Sequence, residues 1–455
     1  MTLLLSIIAF NIIIIVHELG HFIVAKLCKI QVLEFSLFFG PKIFSIKIGE
    51  TMYSLRLIPA LAYVKLEGEE EESDSERSFG NKSVFTRMAV IAAGPIANVL
   101  LATVLLMIII SNSGYETTKV GKVLEGSPAY EAGLREGDII RSYDGKKVYA
   151  PAEEMLFLMA SKGKEANIKI ERNGNEEQIT VKPLVIPANR LLLGFRAKES
   201  YGKESNVVNS VISNQADEKN NLKPGDRILK IDNQEIKSMP DILNYLKKVY
   251  DEKLKNDQAD ENKDDKSNEN NIVLNVNVLR DGNVEPLQIK PFFEQGRSDS
   301  YDIGMAFAPS VKGGAGDIVR EAFISTYSYT RVSIYSIIYL FQGKFSFAEV
   351  TGPVGMVATM NEVVQMVPTL KDKILSTLNL MVFISIALGI ANLLPIPPAD
   401  GSRLILLALE AVRRKPLPVE KERMIMAAGF VFMMILFVVV LFSDIFKIFN
   451  GIGVQ

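Results

Sequence analysis

Apolar residues gather into four long runs, two toward each end of the chain, and the middle is polar and charged. The runs are Leu3 to about Ala25, Met88 to Ile110, about Leu375 to Pro397, and Met424 to Phe442. Crossing a bilayer takes roughly 20 residues at about 1.5 Å each, so every run predicts a transmembrane helix. A signal peptide does not suit the first run, which lacks a basic start and a small-x-small cleavage site. The segment Ile318 to Phe341 is less apolar and contains Arg331; it predicts an amphipathic helix at the outer surface. Between Ile30 and Leu66, apolar and polar positions alternate around Gly40-Pro41 and Gly49-Glu50, which predicts hairpin strands.

The polar middle holds two similar patches. Ala132 to Ile140, followed by Tyr143-Asp144-Gly145, parallels Asn221 to Leu229, followed by Ile231-Asp232-Asn233. Each is a Gly-Asp turn feeding a strand, with a helix afterwards (Ala152 to Ser161; Met239 to Tyr250). The Gly-Leu-x-x-Gly-Asp pattern resembles that of PDZ domains and predicts tandem modules over 115–185 and 186–293. The Lys/Asp/Asn/Glu run over 251–271 reads as a disordered insertion in the second, and the acidic run Glu67 to Glu76 as a solvated loop.

Basic residues orient the spans. Lys26, Lys29, Lys42, Lys47 and Arg56 follow span one, and Arg403, Arg413, Arg414, Lys415 and Arg423 crowd the loop between spans three and four. Both loops belong in the cytoplasm, and the termini and modules outside. If Ile318 to Phe341 also crossed, the second basic loop would move outside, so four spans is the better count. The predicted fold is a polytopic α-helical membrane protein with a membrane-associated β-hairpin region and two α+β modules outside. In order these are span one (1–27), the β region and acidic loop (28–83), span two (84–111), the modules, an outer-side helical linker (294–374), span three (375–401), a cytoplasmic loop (402–423) and span four (424–447).

Composition sharpens this picture. Hydrophobic residues make up 48% and charged residues 23%, proportions that coexist because they are segregated. A net charge of −2 gives no electrostatic reason to expect a nucleic-acid partner. The lone Cys28 excludes an internal disulfide and a Cys-rich metal site. The two histidines, His17 and His21, sit inside span one.

His17-Glu18-Leu19-Gly20-His21 is the central motif. On a helix, positions i and i+4 share a face, so both imidazoles can bind one zinc, with Glu18 beside them as a general base. Polar groups inside an apolar span are costly unless they are paired or bind metal. A hydrolytic zinc site takes three protein ligands, and with no histidine left the third is a carboxylate or the thiol of Cys28. His17 lies about 14 residues, roughly 21 Å, into span one and so in its cytoplasmic half. Asp400, just after span three, reaches a similar depth, which favours it over Cys28.

Asn392-Leu393-Leu394-Pro395-Ile396-Pro397-Pro398-Ala399-Asp400-Gly401 resembles the N-x-x-P-x-P-x-x-D-G motif of the site-2 protease family, which pairs with H-E-x-x-H. Gly94-Pro95-Ile96-Ala97-Asn98 is similar to its G-P-x-x-N motif, and Thr351-Gly352-Pro353-Val354-Gly355 to the stretch preceding its third span. With two PDZ-like modules, the chain resembles the RseP-like (regulator of sigma-E protease) bacterial branch over essentially its whole length. The resemblance implies a multi-pass inner-membrane zinc endoprotease that cleaves single-span membrane proteins, such as anti-sigma-factor-like regulators or remnant signal peptides, after a first outer-side cut. It implies His17, His21 and Asp400 as Zn2+ ligands, Glu18 as general base, and a substrate-binding role for Asn392, Pro395 and Pro397. Pro395 and Pro397 break the helix and let irregular chain carry Asp400 to the site. The family's β region pairs with unwound substrate. Here Pro59-Ala60-Leu61-Ala62-Tyr63-Val64 departs from the P-x-G-G-Y-V pattern, losing glycines at Leu61 and Ala62.

The modules have two roles open to them, binding exposed C-termini or acting as a size gate. A competing class is a non-catalytic PDZ-bearing scaffold with structural zinc, although such a site has no need of Glu18. A transporter or metal channel would place several polar residues along more than one span, and spans two and four offer no charged residue, span four no polar one at all.

Overall fold

A computed structural model describes residues 2–69, 73–212, 222–259, 272–296, 298–346, 364, 367–415 and 418–449. Asn221, the Thr351 to Gly355 motif, positions 70–72 of the acidic run and positions 260–271 of the insertion lie outside these residues. The chain divides into a unit of Met1–Tyr115 with Val311–Gln455 and a unit of Glu116–Ser310.

The first unit begins with helix α1 (Thr2–Leu27), strands β1 (Val32–Ile48) and β2 (Thr51–Leu66), and helix α2 (Val84–Ser113). After the second unit come α3 (Ala315–Phe341), α4 (Leu370–Asn392), α5 (Asp400–Arg413) and α6 (Val419–Phe449). Among the described residues, four stretches are long and apolar enough to cross a membrane: Leu5–Leu27, Val84–Ser113, Leu370–Asn392 and Glu420–Phe442. They coincide with the four predicted runs. α2 starts where Ser83 accepts a hydrogen bond from Thr86 N, and it stops at Gly114, whose φ of 81° is left-handed. α4 starts similarly at Thr369, capping Asp372 N. α1, α2 and α4 share a core of Ala9, Ile13, Ala102, Leu105, Leu106, Met381, Val382 and Ile386.

The hairpin turns at Gly49-Glu50, where Ile48 meets Thr51. Gly40-Pro41 is no turn but an irregularity inside β1, with Phe38 and Gly40 at positive φ. The register folds the ribbon back on itself. Glu34–Leu37 is matched to Met52–Leu55 on one side and to Ala62–Lys65 on the other, while Lys42–Ile48 pairs with Thr51–Arg56 alone. Lys42–Ile48 is therefore an exposed edge, and Ile43, Phe44, Ile46 and Ile48 stand open on it.

Two expectations are corrected here. Residues 402–423 are not an open loop: Asp400–Arg413 is the helix α5, because Leu404 and Leu407 turn into the core of Ala25, Val32, Leu66, Val90 and Ile91. Two of its charged residues are paired, Arg403 with Glu69 and Glu410 with Arg87, whereas Arg413, Arg414 and Lys415 at its end are exposed. Nor does α3, expected as a surface helix, stand apart from the helical bundle. Thr326 Oγ1 is 3.0 Å from Thr103 Oγ1, about 15 Å along α2 from Ser113, and Ala322 and Tyr329 join the same helical core.

In the second unit, two four-stranded sheets repeat one pattern. The first orders Lys146–Lys147, Ile139–Tyr143, Ala166–Arg172 and Asn175–Val181, and the second Gln234–Glu235, Arg227–Ile231, Leu274–Arg280 and Asn283–Ile289. Their helices are Pro151–Ser161 and Met239–Ala259. Equivalent ion pairs fix the Gly-Asp turns: Arg172 with Asp138 and Arg280 with Asp226, each at 2.7 Å. The modules are nested rather than strictly tandem. Phe292–Gln295 pairs with Asn189–Leu192, whereas Ser300–Asp302 and Met305–Phe307 return to Leu184–Ile186 and Val120–Val123. The expected linker over 294–374 is thus strand up to Phe307 and becomes helical at Ala315. Over Asp251–Ala259 the expected disorder is corrected, since the helix persists through Ala259.

Candidate metal centre

α1 places His17 and His21 one turn apart on one face, with Nε2 atoms 3.3 Å apart. The third group arrives from far along the chain. α4 ends at Asn392, and the proline-rich loop that follows closes into turns through Leu394 N to Ala391 O and Ala399 N to Ile396 O. It delivers Asp400 as the first residue of α5. Asp400 Oδ2 lies 3.2 Å from His17 Nε2 and 3.4 Å from His21 Nε2. Gly401 makes this turn possible, since a Cβ there would run into the Leu393 carbonyl.

These spacings test the fit of a metal. Donors about 2.0–2.1 Å from a tetrahedral zinc stand about 3.3–3.4 Å from one another. The three measured separations, 3.2, 3.3 and 3.4 Å, match that triangle. Among the described residues these three form the one His/Cys/Asp/Glu group able to hold a metal. Cys28, the weighed alternative, packs instead around Ala25, Ile30 and Val32.

Glu18 is half-buried beside His17, within electrostatic reach of both imidazoles, Asp400 and Glu69. Asn392 Nδ2 lies 3.5 Å from His17 Nε2, so the last residue of α4 borders the cluster. Of the two prolines, Pro395 is exposed, and Pro397 lies against α6, where its carbonyl oxygen would be 2.6 Å from a Cβ at Gly429.

Sequence reasoning missed the part played by α2. His21 Nδ1 faces Val90 O at 2.8 Å, and His17 Nδ1 faces the Asn98 amide at 3.4 Å. Gly94 lies between them; a Cβ there would strike His21 Nε2 and sit 2.9 Å from His17 Cε1. Gly20 performs the reciprocal service on α1, where a Cβ would collide with Ala93 O and Ala97 Cβ. Both glycines occur in the quoted motifs, but their need is a contact between helices and leaves no trace in local pattern.

The profile of peptidase family M50 matches residues 5–436. The regulator of sigma-W protease RasP of Bacillus subtilis is 27% identical over 531 aligned positions, which cover 98% of this chain and 99% of that protein. A zinc metalloprotease RasP of Geobacillus kaustophilus is 25% identical, with 97% of each chain covered. A Clostridium perfringens protein named as a candidate zinc metalloprotease is 38% identical over 195 residues, 43% of this chain and 58% of that protein. A match over this length, carried by a chain whose two histidines and Asp400 form a zinc-sized triangle, leads to one conclusion: the chain belongs to peptidase family M50, the zinc-dependent site-2 proteases.

Proposed function

We propose that this protein is an intramembrane zinc endoprotease that hydrolyses peptide bonds in or near the membrane segment of single-span proteins. The observation that carries the reading is the convergence of His17, His21 and Asp400 beside Glu18, among helices long and apolar enough to span a bilayer. His17, His21 and Asp400 would hold the metal, which would supply Lewis-acid polarisation of the scissile carbonyl. Glu18 takes the proton of the attacking water and returns it to the leaving amine. Asn392 donates its amide N–H to the substrate carbonyl or to the charge that develops on it. The loop through Pro395 and Pro397 shapes the wall of this pocket and fixes the approach of Asp400.

A helical substrate must be unwound before its backbone can be cut. Lys42–Ile48 is a sheet edge with free backbone groups and apolar side chains, suited to adding an extended substrate strand. The protein lies in a bacterial inner membrane with the metal centre toward the cytoplasmic leaflet and the PDZ-like modules outside, an orientation supported by the basic residues flanking the spans. There the modules act as a size gate, admitting substrates already trimmed by an outer-side protease. Anti-sigma-factor-like regulators and remnant signal peptides fit that description.

The test is cleavage of a single-span reporter by the purified full-length protein in detergent. Glu18→Gln abolishes cleavage while zinc content and folding persist, and a chelator abolishes it in the unaltered protein. Undiminished cleavage by Glu18→Gln eliminates the assigned base. Competition by C-terminal peptides, expected to be absent, separates a gate from peptide-binding modules.

A further inference from the structure

α2 presents one stripe to the imidazole pair. Val90, Gly94 and Asn98 are spaced four apart and so share a helix face. Val90 O meets His21 Nδ1 at 2.8 Å, Gly94 leaves room for both rings, and the Asn98 amide meets His17 Nδ1 at 3.4 Å. The two histidines of α1 are thus each backed by a polar group of α2, one from backbone and one from a side chain.

An imidazole ligates through a bare nitrogen, and the proton then sits on the other one. Both Nε2 atoms point at Asp400 Oδ2, so both Nδ1 atoms carry protons that need acceptors. Val90 O is the acceptor for His21. For His17 the facing group is an amide, which can present either oxygen or nitrogen after a half-turn of the side chain. The atom at 3.4 Å is Nδ2, which sets donor against a protonated Nδ1 and leaves Oδ1 buried without a partner; the half-turn brings Oδ1 to Nδ1 and removes both faults. Asn98 is 0% exposed, so bulk water does not compete for the Nδ1 proton. The residue is also held from behind: Ser385 Oγ of α4 donates to Asn98 O at 2.8 Å.

We propose that Asn98 is a positioning residue of the metal centre: its amide oxygen accepts the Nδ1 proton of His17 and so fixes the tautomer that leaves Nε2 free for zinc. The bland alternative is a buried side chain that only fills space between α1, α2 and α4. The two differ in their answer to Leu, which matches Asn in size but accepts no proton, and to Asp, which keeps the acceptor. The inference rests on the ligand set proposed above.

Zinc affinity is measured by chelator competition on the full-length protein in detergent, for Asn98→Leu, Asn98→Asp and His17→Ala. Loss of an acceptor behind a ligating histidine weakens metal binding about 10–100-fold, and that loss is expected for Asn98→Leu. Asn98→Asp stays near the unaltered affinity, and both metal-free variants melt where the metal-free parent does. Wild-type zinc affinity in Asn98→Leu, or equal loss in Leu and Asp, overturns the proposal. If Asn98→Leu does not fold, Asn98→Ala is judged by the same criterion. Undiminished zinc binding by His17→Ala would instead overturn the ligand set, leaving the two failures distinguishable.

Discussion

Arg403, one turn after Asp400 on α5, is ion-paired with Glu69, which follows β2 and stands 334 positions earlier in the chain. The pair fastens the helix that begins with Asp400 to the end of the β region. A second tie, Arg87 to Glu410, fastens the same helix to the start of α2. Asp400 is therefore placed by contacts outside its own loop.

Breaking the first tie should move Asp400 without removing it. Glu69→Gln is expected to slow reporter cleavage about tenfold, and Glu69→Gln with Arg403→Gln to do little worse than either alone. Neighbours sharing one interaction couple by about 0.5–3 kcal/mol in a double-mutant cycle. Strict additivity of the two single effects would show that the pair does not act as a unit.

Gly94→Ala tests the room that α2 leaves for the rings. The added methyl would meet His21 Nε2, and both His17 Cε1 and His21 Cε1 lie within 3 Å of it. Zinc retention should fall steeply, read by metal analysis after gel filtration. Gly316→Ala is the matched control, because a Cβ there has nothing within 4 Å. Equal zinc content in the two variants would refute the steric argument.

A pH effect is expected in the first module. Burial, reinforced by Asp302, pushes the Glu154 carboxyl up to about 7. A carboxyl raised above its unfolded value binds more protons when folded. Its favourable protonation is therefore fully present below about 4.5 and is lost as pH rises toward 7, leaving a cost above that. Glu154→Gln removes the cost and should stabilise the module at pH 8 by about 2–3 kcal/mol, with little effect at pH 4. Hydrogen exchange of Ile139–Tyr143, corrected for intrinsic pH dependence, reads the difference. No added protection at pH 8 would count against it.

The clustering of His17, His21 and Asp400 was legible because each half is a short local pattern: the histidines by helical spacing, Asp400 by its depth after an apolar run and by the proline-rich motif. The four spans were legible from run length alone. What escaped depends on contacts between distant segments. The folding-back of β1 and β2 arises where Glu34–Leu37 meets two partners at once, and alternation along one strand cannot announce that. The strands Ser300–Asp302 and Met305–Phe307 are too short to stand out, so the nesting of the modules was invisible. α5 is hidden in a basic stretch, because the spacing of Leu404 and Leu407 gains meaning only against Ala25 and Val90 on other helices. Asn98 stood in a recognised motif, but its use needs the position of His17 across a helix interface.

Asn392 allows the sharpest separation of roles at the centre. Its amide nitrogen is 3.5 Å from His17 Nε2, close enough to border a bound peptide carbonyl but apart from the three donor atoms. If the N–H is aimed at charge that develops only during attack, Asn392→Ala lowers kcat by about 10²–10³ and leaves KM and zinc content nearly unchanged. If it holds the resting substrate backbone instead, KM rises while kcat is kept. The position of Asn392 at the end of a helix anchored by Ser385 favours the first outcome, since a fixed donor serves a fixed reacting atom better than a mobile strand. Steady-state cleavage of one reporter at varied concentration distinguishes the two, and a loss of zinc in the variant would place Asn392 with the ligands rather than with the substrate.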